Sequence, residues 1–341
     1  MMGSNFLENI FTPFIQPIYR GIGHILMFHR VCDRTVHERV AGAAEIEYPP
    51  EAFLNLLLDL QQNGYNFVSL NEVYDILLSG KNSSEFISIT FDDGYADNYT
   101  TAYPILKERG IPFAIYITTA FPDHAAIPWW SLLEDLLDMH GKINFDYRAQ
   151  FYEYDLANSE GRQKAGLLIR NLMKSASQDD LKTLTKLIFS DHGLDPERKI
   201  QELALNWDQL KKLSMDPQVT IAAHTINHLL LNNLNIETAR EEINGAQARL
   251  QEKLKLEINH FAYPFGGRAA AGLREFQLVK EAGFKTATTT RQANIFPEHK
   301  AHMESLPRLD MGMYPDFSSL KPALDGWIPA RMNRFKRVVT E

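Results

Sequence analysis

Two rhythms alternate along the chain. Short apolar, β-branched runs predict strands at His24–Phe28, Asn66–Leu70, Phe86–Phe91, Phe113–Thr118, Val219–Ala223, Asn259–Tyr263, Phe284–Thr289 and Ser305–Leu309. Between them, apolar residues recur every three or four positions, in stretches with legible ends. Pro50–Asn63 stops at Gly64, Asn98–Arg109 at Gly110 with Pro112 beyond, and Leu273–Ala282 at Gly283; Ile236–Leu254 begins after Asn235 as its cap. Strand–helix alternation with nearly continuous apolar strands argues for an α/β fold, a parallel sheet covered by helices. Seven or eight such units close into a barrel. Barrels of this type gather reactive groups at the C-terminal strand ends.

From about residue 123 to 206 the rhythm breaks. Only helical patterns are legible there, at Trp129–Met139, Gly161–Lys174 and Asp179–Phe189. This stretch reads as a helical insertion between two barrel strands, folded against the mouth or its rim. The barrel is expected over residues 24–315, with 1–23 as an N-terminal amphipathic segment and 316–341 as a basic C-terminal tail. In the first segment Phe6, Leu7, Ile10, Phe11, Phe14, Ile15, Ile18 and Tyr19 recur at helix-like spacing, interrupted by Pro13 and Pro17. The tail carries Arg331, Arg334, Lys336 and Arg337. The termini read either as a lid on the barrel bottom with a solvated basic end, or as peripheral attachment to an anionic membrane surface presenting a lipid-linked sugar.

Composition narrows the classes. The 341 residues carry a net charge of −8, so no nucleic-acid footprint covers the molecule. Cys32 is the only cysteine, which excludes an internal disulfide and a cysteine-rich metal site. No signal-peptide pattern opens the chain and no apolar run is long enough to span a bilayer. The expected location is therefore cytoplasmic, with the inner membrane face as the place for any peripheral contact.

Chemistry enters at the strand ends. Asp92 and Asp93 follow the apolar run Phe86–Phe91, where adjacent carboxylates are expensive unless each has a cation or several donors. His224 and His228, spaced i, i+4, follow Val219–Ala223. Two imidazoles and one carboxylate can hold a divalent metal and leave a position for water, from which a second carboxylate takes a proton. Taken singly, Asp92-Asp93-Gly94 also reads as a capped turn and the histidines as satisfied core or surface groups. Taken together, and with Tyr263-Pro264-Phe265-Gly266-Gly267 at a third strand end, they point to one mouth.

These residues carry a family resemblance. Thr90-Phe91-Asp92-Asp93-Gly94-Tyr95 resembles the first motif of the NodB-type polysaccharide deacetylases, carbohydrate esterase family four. His224-Thr225-Ile226-Asn227-His228 is similar to their second motif and Phe261-Ala262-Tyr263-Pro264-Phe265-Gly266 to the third. The resemblance runs from about Ile25 to Leu309, interrupted by the insertion. It implies a distorted (β/α) barrel of about seven parallel strands and hydrolytic removal of an N-acyl group, usually acetyl, from an amino sugar. Residue by residue, it implies Asp93, His224 and His228 as metal ligands and Asp92 as general base. It also implies substrate and oxyanion residues at Tyr263, Pro264, Phe265 and Tyr95, with the Phe265 N–H as donor. Zinc is the default ion, and cobalt, nickel or iron suit the same set. The implied partner is an N-acetylated amino sugar or glycan of a cell-surface polysaccharide or its lipid-linked precursor. A deformylase or other C–N hydrolase on the same barrel, and a non-catalytic carbohydrate-binding relative, are the alternatives.

The chain departs from the pattern at Ala262, where the family's third motif carries an arginine that orients the base. Arg308, near another strand end, either supplies that guanidinium or forms a salt bridge on the rim. The late histidine that many members use as acid has no legible counterpart. His29, after the first strand, is expected at the site or as a cap beside it. His299 and His302 read as solvated loop residues.

Overall fold

The computed structural model describes residues 15–33, 46–81, 84–139 and 141–340. Seven parallel strands close into a barrel: β1 (Gly23–Phe28), β2 (Phe86–Phe91), β3 (Phe113–Ile117), β4 (Val219–Ala223), β5 (His260–Ala262), β6 (Thr286–Gln292) and β7 (Leu306–Asp310). Each pairs with its neighbour in chain order, and β1 closes the ring by pairing with both β2 and β7. Alternation along each strand divides the side chains into two sets. Ile87, Ile89, Phe91, Ile115, Ile221 and Phe261 join the outer core under the helices. Ala114, Tyr116, Ala222, Ala262 and Leu306 fill the barrel interior. The helix Pro50–Gln62 shows how the outer layer is held, burying Phe53, Leu56, Leu57 and Leu60 on one face.

Helix Ile236–Leu254 has its expected bounds, with Asn235 capping through its side chain. The expected strand Asn66–Leu70 is corrected to Asn66–Phe67, and Leu70–Ser79 is a helix. Ser69 and Glu72 form a reciprocal capping box, a local signal that overrides the apolar run. Asn98–Arg109 begins as a π turn at Asn98–Ala102 before the α-helix Tyr103–Glu108.

The stretch between β3 and β4 is not purely helical. It contains an antiparallel hairpin, Lys142–Tyr147 with Gln150–Asp155. Its tight turn places Arg148 and Ala149 at positive φ (51° and 59°) without the Asn-Gly sequence that advertises such turns. The hairpin and the surrounding helices have their own core, including Leu132, Leu136, Ile143, Phe145, Ile169 and Leu184.

Of the N-terminal pattern, Phe6 to Phe14 lie outside the described residues. Residues 15–19 form a short helix, with Gln16 Nε2 donating to Asp325 at 2.9 Å. Residues 316–341 carry two helices, Phe317–Leu324 and Trp327–Met332, that bury Leu320, Leu324 and Ala330. His299 is fully buried, not solvated: a 3₁₀ turn from Pro297 folds its ring back, and Nδ1 accepts from the Phe296 N–H at 2.9 Å. Among the described residues no helix is long and apolar enough to cross a membrane.

His260, buried in β5, makes stability depend on pH. Burial pushes its pKa down to about 4, helped by the Lys285 charge. Its Nδ1 lies 2.7 Å from Thr286 Oγ1 and its Nε2 3.2 Å from Asn71 Oδ1, an arrangement the neutral ring satisfies with one acceptor and one donor. The same ring in an unfolded chain titrates near 6.5. In the window between these values the unfolded chain binds more protons, so the stabilisation is complete above about pH 6.5 and is lost as pH falls toward 4. The expected loss is on the order of 3 kcal/mol. Chemical unfolding measured across this window should show a shallower pH slope for His260→Gln than for the unmodified protein. Equal slopes would exclude His260 as the source.

Candidate metal centre and cavity

Strand parity turns Thr90 and Asp92 toward the interior at the end of β2, and Ala222 and His224 at the end of β4. Parity alone would turn Asp93 outward. Its φ of 73° swings it back over the mouth, and Thr225 (63°), His228 (55°) and Phe265 (61°) share this left-handed conformation at the other strand ends. Four non-glycine residues in a region that L-residues rarely adopt mark a mouth whose geometry the surrounding packing enforces. Gly266 belongs to the same device: a Cβ there would lie 2.6 Å from the Thr290 main-chain nitrogen.

Asp93, His224 and His228 each offer one ligand atom, and these atoms lie within 4.8 Å of one another. Asp93 Oδ1 stands 3.5 Å from His224 Nε2 and 3.3 Å from His228 Nε2. That oxygen is buried and has no hydrogen-bond partner among the described residues. His224 Nδ1 lies 2.8 Å from the Ala262 carbonyl and donates to it in the tautomer that leaves the Nε2 lone pair facing Asp93. Lone pairs converging on a buried carboxylate oxygen require a cation or a proton among them, so the donor set fits a divalent ion. Burial pushes His228 down to about 4, keeping it neutral at physiological pH. Burial also opposes charge on His224, but Asp93 and Asp92 raise its pKa above the ordinary value. An ion at this site therefore competes with a proton.

Asp92 is 2% exposed and Arg308 is fully buried. Arg308 Nη1 and Nη2 donate to the two carboxylate oxygens at 2.6 and 2.7 Å, while Nε donates to the Thr289 carbonyl at 3.0 Å. The guanidinium also stacks 5.4 Å from the Tyr116 ring centroid. Burial pushes Asp92 up, but the Arg308 charge and hydrogen bonds outweigh it and hold the carboxyl below its usual range. Arg308 is thus a buried partner of Asp92, not a rim group.

A third carboxylate, which the motifs did not mark, shapes the histidine turn. Glu242 on helix Ile236–Leu254 accepts from the Ile226 N–H (3.0 Å), the Asn227 N–H (2.8 Å) and Asn227 Nδ2 (2.6 Å). It is 4% exposed, between the two histidines' turn and the helix. The available signal was a glutamate on the same helix face as Ala239, Ile243, Ala246 and Leu250.

A cavity of about 800 Å³ opens over these groups. Its barrel side includes His29, Asp92, Asp93, His224, His228 and Phe265. The insertion supplies the facing wall, with Trp129, Trp130 and Leu133 from one helix and Arg162, Arg170 and Lys174 from another. His29 is half-buried there, and its main-chain carbonyl accepts from Asn98 Nδ2 at 2.8 Å. Tyr95 lines the cavity with its hydroxyl accepting from Trp130 Nε1 at 2.7 Å; burial and the Asp93 charge hold its pKa well above 10. Phe265 packs its ring 4.8 Å from that of His228. Tyr263 does not present its side chain to the cavity: the ring packs on Phe261 and Phe276, and the hydroxyl donates to the Glu304 carbonyl at 2.8 Å. Pro264 is buried in the turn between the two.

The family follows from sequence and fold together. The chain belongs to the polysaccharide deacetylase family, whose model matches residues 79–144 and 178–287. It is 34% identical over 94 residues to YxkH of Bacillus subtilis (strain 168), a protein named for the same family; the match covers 27% of this chain and only 30% of that protein. Among solved structures, the fold is similar to a Streptococcus pyogenes deacetylase, PplD, in complex with acetate. There the TM-score is 0.58 at 19% identity, over 88% of this chain and 97% of that one. IcaB from Ammonifex degensii gives 0.56 at 17% identity, over 91% and 98%. The shared architecture is the closed barrel of seven parallel strands.

The Glu242 contacts generate a prediction. Glu242→Gln replaces an oxygen that receives two main-chain N–H groups or one that receives Asn227, loosening the turn that sets His224 against His228. Metal affinity, measured by competition with a chromogenic chelator, should weaken by about 10- to 100-fold, as for other lost supports of metal ligands. An unchanged affinity would show that the turn holds itself.

Proposed function

We propose that the protein is a metal-dependent hydrolase that removes the N-acetyl group from an amino sugar of a polysaccharide or its lipid-linked precursor. The observation carrying this reading is the three-donor set beside an arginine-held carboxylate, together on the floor of one cavity. Asp93, His224 and His228 would hold a divalent ion, with zinc the usual occupant of two imidazoles and a carboxylate. Such an ion supplies Lewis acidity to the acyl oxygen and to the attacking water.

The remaining work falls to side chains and main chain. Asp92 takes the proton from water as it attacks the acyl carbon, and Arg308 keeps that carboxylate ionised and oriented by two parallel hydrogen bonds. The Phe265 N–H, which no other described residue engages, donates to the oxygen on which charge develops. His29, which follows β1 and lines the cavity, exchanges protons with the leaving amine or bonds the sugar. Tyr95 and Trp130, joined by their hydrogen bond, form a firm side wall against which a sugar ring packs.

The test is amine release from N-acetylated oligosaccharides by the metal-loaded protein. Asp92→Asn should retain metal and fold and lose turnover on the order of 10²-fold or more. Near-full activity at neutral pH would move the base role elsewhere, with His29 next to be examined.

A further inference from the structure

Four cations fall close together near the end of the chain, at Arg331, Arg334, Lys336 and Arg337, and residues 331–340 contain no acid to offset them. The whole molecule carries a net charge of −8, so this stretch has the opposite sign. All four side chains are exposed. Arg337 stands 3.3 Å from Glu298, and Arg331 lies 5.5 Å from the Trp327 ring centroid. Arg334 and Lys336 have no ion-pair partner among the described residues.

Apolar side chains stand among these charges. Met332 is 51% exposed and Phe335 55%. Single exposed apolar residues are ordinary. The backbone at Phe335 is not: Arg334 and Phe335 both have positive φ, 51° and 62°, a conformation that costs energy at a bulky residue. Buried Asn333 holds the turn, its Nδ2 donating to the Gln292 carbonyl at 2.7 Å and to the Pro329 carbonyl at 2.9 Å. The Phe335 N–H donates to the Ala330 carbonyl at 2.6 Å. The fold thus enforces a strained turn that leaves an aromatic ring half in water between two unpaired cations.

The start of the chain meets this turn. The Tyr19 ring packs 5.9 Å from that of Phe335, and its hydroxyl donates to the Phe335 carbonyl at 3.0 Å. Its neighbour Ile18 is 51% exposed. Both precede β1, which places them at the end of the barrel away from the mouth. The sequence leading into residue 15 adds Phe6, Leu7, Ile10, Phe11 and Phe14 and contains no lysine or arginine. Cations interleaved with exposed apolar side chains match a surface that offers phosphate charge outside and hydrocarbon just beneath. A soluble polyanion would use the charges alone.

We propose that this face docks on an anionic phospholipid surface. Arg331, Arg334 and Lys336 meet the lipid phosphates, Phe335, Met332 and Ile18 enter the headgroup layer, and the cavity at the other end of the barrel stays open to solvent.

The test is co-sedimentation of the full chain with phosphatidylcholine vesicles, with and without roughly one-third phosphatidylglycerol. Partitioning should be at least about ten-fold stronger on the anionic vesicles, and roughly 0.5 M salt should remove most of that difference. With circular dichroism unchanged, Arg334→Gln/Lys336→Gln should weaken binding by about ten-fold, whereas Arg334→Lys/Lys336→Arg should bind like the unmodified protein, since a lipid surface reads charge more than donor geometry. Phe335→Ser should weaken binding several-fold on the same vesicles. Equal partitioning on neutral and anionic vesicles overturns the proposal, as does full binding by Arg334→Gln/Lys336→Gln. Charge-dependent binding that Phe335→Ser leaves intact would assign the cations to a soluble polyanion instead. Light scattering that shows a dimer dissociated by Phe335→Ser would assign the face to a second copy of the chain.

Discussion

A carboxylate with almost no access to water stays ionised only if something inside the protein replaces the water. For Asp92 that replacement is Arg308, and much of the barrel's interior is arranged around the pair. Arg308 comes from β7 and reaches past β1, its neighbour, to the end of β2. On its way the guanidinium lies over the Tyr116 ring, and Nη1 also donates to Thr90 Oγ1 at 3.3 Å. Removing either member would leave the other charged, buried and alone, a situation that costs about 3–5 kcal/mol where it has been created. The pair is therefore as much a condition of the fold as of any chemistry at the mouth.

Around this fixed point the molecule divides its labour. The barrel delivers reactive groups by strand parity and by a few strained residues at strand ends, so their positions depend on the sheet more than on loop chance. The insertion, with its own core of Leu132, Phe145, Ile169 and Leu184, delivers the wall of the cavity that faces the barrel. The two units meet at the cavity and through direct contacts such as the Trp130–Tyr95 hydrogen bond and the Trp130 ring 5.6 Å from that of His228.

The legibility of these features follows the range of the interactions that create them. Buried parallel strands announce themselves by continuous apolar runs, and Asp92-Asp93 and His224…His228 stand out because they interrupt those runs. Arg308 was visible as a candidate since Ala262 left a role unfilled, yet its pairing with Asp92 depends on β7 and β2 flanking β1, which no local pattern encodes. Glu242 was missed because one glutamate on a helix looks solvated until the turn it supports is in place. The hairpin at Lys142–Asp155 was missed because its turn lacks Asn-Gly, and the helix at Leu70 because its apolar start imitates a strand. His299 was misread for the opposite reason: a polar neighbourhood in sequence proved to be folded inward by the Pro297 turn.

The most direct test of the base and its cation is the acidic limb of the pH–rate profile for amine release by Arg308→Met, beside the unmodified protein, with metal content measured in both. With the guanidinium in place, Asp92 titrates below its ordinary range and does not limit activity on the acid side. Without it, burial alone governs the carboxyl and raises its pKa, so protonation of the base becomes limiting. The predicted result is an acidic limb moved upward by more than about one pH unit, with the metal retained. An acidic limb at the same pH, in a protein that still folds and binds its metal, would contradict Asp92 as a base held by Arg308.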